Sequence, residues 1–70
     1  MSLYTAQKKL QDDFRTLMAV WHSVREVWDD ESAHRFEREV IDQIEPLVRS
    51  TVSEIDEMRD FVAEAREACR

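Results

Sequence analysis

The stretch Trp28-Asp29-Asp30-Glu31-Ser32 decides the fold, because it interrupts the two long helical patterns that lie on either side of it. Acidic side chains favour the start of a helix, where they oppose the positive end of the helix dipole. Asp29 or Asp30 is therefore expected to cap a second helix. The few polar residues here allow only a short connection, and short connections place consecutive helices antiparallel. The sequence thus predicts a helical hairpin with its corner at residues 29–31.

An amphipathic helix is predicted before this corner, over about residues 2–28, with Ser2 as its N-cap. From residue 10 onward its apolar residues recur at alternating gaps of four and three, the spacing of a heptad seam. The seam begins weakly, because position 7 is Gln. The seam residues expected in the core or at an interface are Leu10, Phe14, Leu17, Trp21, Val24 and Trp28.

A second, longer helix is predicted over about residues 32–69. The residues assigned to its core or interface seam are Phe36, Val40, Ile44, Leu47, Ile55, Met58 and Val62, with Thr51, Ala65 and Cys69 completing the spacing. A second stripe, formed by Ile41, Val48 and Val52, lies beside this seam and makes the apolar surface too wide for one neighbouring helix.

Pro46 interrupts the backbone hydrogen bonding of the second helix, since proline has no N–H to donate. A kink near residues 42–46 is expected, because the apolar spacing continues through the proline and no turn residues flank it. The alternative is a complete break that would create a third helix.

The two predicted helices differ in length, so the second should overhang the first over about residues 59–70. A lone hairpin would leave this overhang and the second stripe exposed, which is unusual for a monomer. The fold prediction is therefore an all-α protein with a single domain over residues 1–70. Two copies of this antiparallel hairpin, each with a Pro-kinked long second helix, would pack as a four-helix bundle, and the expected partner is a second copy in a homodimer. A second helical protein is the other candidate partner.

Composition excludes several classes of function. The chain has 10 basic and 16 acidic residues, for a net charge of −6, and such an acidic chain is a poor partner for nucleic acid or for an anionic membrane surface. It has no Gly, so Gly-rich phosphate-binding loops are absent, and its single Cys cannot form an internal disulfide. The N-terminus lacks the apolar core of a signal peptide. A cytoplasmic location is expected, and secretion by a signal-peptide-independent route is the alternative.

Two residue pairs have spacings that could support chemistry. Glu31 and His34 have the Glu-x-x-His spacing of di-metal bundles, which also need an inward-facing Glu from each of two further helices. Glu26 is the only acid near the right end of the first helix, and it lies next to the corner, away from the middle of a bundle. His22 and Glu26 are four residues apart and lack a nearby nucleophile in a pocket. The chain is therefore predicted to be non-enzymatic, with no catalytic, cofactor-binding or metal-binding residues and no cofactor. A metal-dependent enzyme or metal store remains a minor alternative.

Trp21, Trp28-Asp29-Asp30, Ala33 and Phe36 form the pattern W-x6-W-D-D-x2-A-x2-F. This pattern resembles the WXG superfamily, the early-secreted-antigen-like helical hairpins of type VII secretion. In that family a Trp-x-Gly motif makes the turn, and members pair as antiparallel four-helix bundles. The resemblance covers about residues 17–60, with Trp28 at the position of the family Trp and Phe36 at that of the aromatic residue on the second helix.

The resemblance implies a short accessory or cargo-pairing subunit in a type VII-like setting. Without it, the same apolar stripes fit a small cytosolic adaptor or regulator that binds a partner helix in a groove. The two hypotheses differ in whether the isolated chain covers its own apolar surface.

Overall fold

The fold is a hairpin of two antiparallel helical arms, and the computed structural model describes it over residues 2–69. The short arm is helix α1 (Leu3–Arg25). The long arm is one unbroken helical run made of α2 (Glu31–Phe36), a π-helical turn (Glu37–Ile41) and α3 (Asp42–Ala68). The Cα atoms extend over 59 × 18 × 10 Å, so the molecule is a single layer of helices. The predicted two-helix hairpin is confirmed.

Side-chain caps fix the start of both arms. The Ser2 hydroxyl accepts a hydrogen bond from the backbone N–H of Thr5 at 3.0 Å, as predicted. Asp30 adopts an extended backbone, and its Oδ1 accepts from the backbone N–H of Ala33 at 3.0 Å. Of the two candidate caps for the second helix, Asp30 is therefore the one that acts.

We expect Asp30→Ala to destabilise the protein by about 1 kcal/mol, because the N–H of Ala33 loses its acceptor at the start of the long arm. Asp30→Asn is the matched variant, since Asn retains an oxygen that can accept this bond. Thermal unfolding followed by circular dichroism at a fixed protein concentration measures the difference. Equal midpoints for Asp30→Ala and Asp30→Asn would show that the cap contributes nothing.

The connection between the arms is longer than predicted and begins earlier. The short arm ends at Arg25 instead of residue 28, and the backbone N–H groups of Val27 and Trp28 both donate to the carbonyl of Val24. This tightened turn carries the chain out of the helix before the acidic residues are reached. Residues 26–30 therefore form the corner, and the long arm begins at Glu31.

Pro46 does not break the long arm, which excludes the predicted alternative of a third helix there. The irregular backbone lies earlier, in the π turn at Glu37–Ile41, while Pro46 sits inside the first turns of α3. Because Pro46 has no N–H, the carbonyl of Asp42 lacks the helical hydrogen bond that it would normally accept from residue 46. The wider π turn directly precedes Asp42.

The buried apolar residues of the described chain are Trp21, Ala33 and Ile41, with exposed fractions of 6%, 0% and 5%. Other apolar side chains along the line between the arms are half-buried. Those among the predicted core residues are Leu10, Phe14, Val24, Trp28, Ile44 and Ile55. The core is therefore a single narrow line of side chains between the two arms.

The stripe of the long arm that faces α1 differs from the predicted one. Ile41 is buried and Val48 and Val52 are half-buried, although these residues were expected to remain uncovered. The inward stripe is apolar at every position from Ile41 to Ile55, whereas the predicted seam would place Thr51 between the arms. The predicted seam residues exposed on the single chain are Leu17, Phe36, Val40, Leu47, Met58 and Val62.

The overhang of the long arm is also shorter than predicted. The guanidinium of Arg59 lies 5.1 Å from the centroid of the Tyr4 ring, and Leu3 lines a hollow with Val62 and Arg66. The start of α1 therefore lies alongside residues of the long arm beyond position 59. The overhang is short because part of the extra length of the long arm, helix α2, lies at the corner.

Candidate protein-interaction surface

Three aromatic side chains close the corner of the hairpin. The Trp21 ring lies 6.0 Å from Trp28 in an edge-to-face arrangement and 5.3 Å from Phe36. Trp28 and Phe36 are 6.1 Å apart. These separations are those of favourable aromatic pairs, so the three rings hold the connection against both arms.

A partly buried hydrogen bond orients Trp21. Its indole Nε1 donates to Oε1 of Glu37 at 2.9 Å, and Arg25 donates to the other oxygen of the same carboxylate at 3.4 Å. Glu37 is the first residue of the π turn. The carboxylate thus connects the irregular turn of the long arm to the last turn of α1.

The pairs Glu31/His34 and His22/Glu26 are exposed and lie on the open surface near the corner. His34 Nε2 is 3.2 Å from Asp29 Oδ1, which also accepts from Arg25 at 2.7 Å. Between residues 2 and 69 there is no cluster of three or more His, Cys, Asp or Glu side chains placed to hold a metal ion. His22 and Glu26 line a shallow hollow together with Arg25 and Glu37.

A polar clamp lies near the open end, and the sequence patterns did not reveal it. Gln7 is 7% exposed, and its amide nitrogen donates to the Val52 carbonyl at 3.1 Å and to Asp56 Oδ1 at 2.8 Å. Its amide oxygen accepts from Arg59 Nη1 at 3.1 Å. These bonds align the arms, because the amide finds all three partners only when Gln7 lies opposite residues 52–59.

We expect Gln7→Ala to lower the free energy of unfolding by about 1–2 kcal/mol, since the substitution removes these bonds and leaves a gap between the arms. Gln11→Ala is the matched control, because Gln11 also lies on α1 but donates no hydrogen bond to the long arm. Urea unfolding of both variants measures the difference. A Gln7→Ala protein as stable as Gln11→Ala would contradict the clamp.

The two broad faces of the hairpin differ in chemistry. A residue one position before an inward-facing residue lies about 100° round the helix, and in antiparallel arms these residues point to the same side of the layer. On this side they are mostly apolar and we name the surface the apolar face. Its apolar members are Leu17, Val20, Val24, Phe36, Val40, Leu47, Met58 and Phe61. Leu47 is 65% exposed and Phe61 73% exposed.

Residues one position after an inward-facing residue form the opposite, charged face. One open groove there is lined from both arms, by Gln11 and Arg15 on α1 and by Glu45 and Arg49 on α3. Arg49 donates to Glu45 at 2.6 Å within this face. The charged face is therefore suited to water, while the apolar face exposes side chains that water solvates poorly.

The remaining features of the described residues add no further site. Cys69 is an exposed free thiol at the end of α3. Within residues 2–69 no helix combines the length and the apolar character needed to cross a membrane. The chain matches no protein-family model, no curated protein and no solved structure.

Proposed function

We propose that this chain is a non-enzymatic interaction subunit that self-associates through its apolar face. The observation that carries the proposal is a one-layer molecule, 10 Å thick in its Cα atoms, with large apolar side chains exposed on one broad side. Stable domains are normally built from at least two packed layers around a core. A second hairpin stacked on the apolar face would supply the missing layer.

The dimensions of the face support this proposal. A surface of 59 × 18 Å offers roughly 1,000 Å², whereas each partner in a typical stable interface buries about 800 Å². The side chains involved include Met58 and Phe61 near the open end, and Met and Phe are residue types that are enriched at interfaces. Two stacked hairpins would form a four-helix bundle whose core contains the exposed seam residues.

The setting of this subunit is proposed from the resemblance to the WXG superfamily, which implies a partner or accessory role in type VII-like secretion. Contact between Trp28 and Phe36 at the corner supports the correspondence of these two residues. Asp30 occupies the position of the family Gly, and here it caps the long arm. The proposed subunit works in the cytoplasm or is exported without a signal peptide.

Light scattering across a hundredfold dilution tests the proposal. We expect a mass of about 17 kDa, twice the 8.4 kDa of one chain, that falls only at the lowest concentrations. A mass of one chain at every concentration, with the helical content retained, would overturn self-association. That result would instead favour an adaptor that offers the apolar face to a partner helix.

A further inference from the structure

The distribution of charge on the two arms indicates how two copies would stack. Helix α1 carries four basic and two acidic residues, for a net charge of +2. Helix α3 carries three Arg and eight acidic residues, for a net charge of −5. Helices that pack against each other are about 8–10 Å apart, close to the distance over which salt screens charges. Placing α3 on α3 would therefore bring two strongly acidic helices together.

Only two symmetric ways of stacking the apolar faces keep all neighbouring helices antiparallel. With the two-fold axis perpendicular to the arms, each helix packs on the same helix of the second copy, and the two corners are at opposite ends. With the axis parallel to the arms, each long arm lies on α1 of the second copy and both corners are at the same end. The charges favour the second arrangement, because it places helices of opposite net charge together.

The charged side chains on the apolar face support the same choice. Glu54 directly precedes inward-facing Ile55, so it lies on this face, and it has no hydrogen-bond or ion-pair partner among residues 2–69. Lys9 precedes half-buried Leu10 on α1 and lies on the same face. Gln7 bonds to Val52 and Asp56, which sets Lys9 near the height of Glu54 along the hairpin.

We propose that the second copy stacks with its two-fold axis parallel to the helices, so that Lys9 of each chain faces Glu54 of the other. In this arrangement Leu17 of one copy lies near the height of Leu47 of the other copy, and Val20 lies near the height of Val40. Lys9 already pairs with Asp13 at 3.1 Å on the surface of its own helix, and in the dimer it lies between two carboxylates. This inference rests on the proposed self-association and specifies the geometry of that interface.

Distances between spin labels test the arrangement in the full chain. Val27 lies at the corner and is 90% exposed, so Val27→Cys in a Cys69→Ser background carries one label per chain. With both corners at one end, we expect label separations of about 20–30 Å, set by the packing distances of four helices. Separations above about 45 Å would place the corners at opposite ends of the 59 Å layer and overturn the arrangement while leaving the dimer intact.

Charge reversal provides a second test with a matched control. Lys9→Glu should raise the dimer dissociation constant about tenfold, since it places like charges together at two equivalent positions. Lys9→Glu combined with Glu54→Lys should restore most of the affinity. Lys8→Glu is the control, because Lys8 follows inward-facing Gln7 and lies on the charged face beside Asp12. Equal effects of Lys8→Glu and Lys9→Glu, or no recovery in the double variant, would overturn the Lys9–Glu54 pairing. A monomeric wild-type mass would instead refute self-association itself.

Discussion

Leu47→Asp is expected to abolish self-association at micromolar concentration and to reduce helical content strongly. Leu47 is 65% exposed on the single chain, so the substitution would change the free energy of unfolding of a monomeric hairpin by only about 0.5 kcal/mol. In the proposed bundle the same side chain is buried in both copies. Burial of a Leu side chain contributes about 1.5–3 kcal/mol, and a buried unpaired carboxylate costs more. The two accounts therefore predict very different results.

Ser53→Asp is the matched control for Leu47→Asp. Ser53 is exposed on α3 and directly follows inward-facing Val52, so it lies on the charged face and not on the apolar face. Sedimentation equilibrium and circular dichroism of both variants provide the comparison. A Leu47→Asp protein with the mass and helicity of Ser53→Asp would contradict burial of the apolar face.

Trp21→Ala is expected to unfold most of the protein at room temperature. Trp21 is the largest buried side chain described, and it contacts both other corner aromatics as well as the Glu37 carboxylate. Truncation of a buried Trp costs about 3–5 kcal/mol, which is a large part of the stability of a domain this small. The loss should appear in guanidinium unfolding as a midpoint shifted close to zero denaturant.

Trp21→Phe separates the packing of this residue from its hydrogen bond. Phenylalanine keeps an aromatic ring beside Trp28 and Phe36 but cannot donate to Glu37, so we expect a cost of about 1–2 kcal/mol. Glu37 retains the Arg25 guanidinium in this variant. A Trp21→Ala protein that is as stable as Trp21→Phe would contradict the role assigned to the aromatic cluster.

The sequence was sufficient to predict the hairpin and the Ser2 cap and to limit the second cap to Asp29 or Asp30, because these features depend on local chemistry. Ser2 and Asp30 both precede helical patterns and carry a side-chain oxygen that can accept from the first turn. The exact end of α1 was not predictable, since Trp28 continues the apolar spacing although the backbone has already left the helix at Arg25. From the corner, Trp28 still packs against Trp21.

The inward face of the long arm could not be chosen from spacing alone. Ile44 and Ile55 belong to both candidate stripes, so the periodicity fits either one. The deciding difference is Thr51, whose hydroxyl is costly to bury without a partner, against Val52 on the other stripe. The π turn also changes which side of the long arm faces α1, and a rule based on regular helical spacing does not predict this change.

The candidate surface was only partly predictable for the same reason. Leu17, Val40, Leu47 and Met58 were assigned to a core or interface seam, and their exposure on the single chain leaves the interface role as a prediction. In the sequence Gln7 is only an interruption of the apolar seam. Its contacts with Asp56 and Arg59 depend on the alignment of residues about 50 positions apart in the sequence. The local spacing of apolar residues carries no information about that alignment.

Hydroxyl-radical footprinting tests most directly whether the apolar face is covered in solution. Leu47 lies on the apolar face, and Tyr4 lies on the charged face directly after inward-facing Leu3. Both are well exposed on the single chain, at 65% and 57%. Oxidation of each residue is normalised to its intrinsic reactivity in the unfolded chain. The proposed bundle predicts that Leu47 is strongly protected while Tyr4 is not. Equal protection of Leu47 and Tyr4 would contradict a second layer on the apolar face.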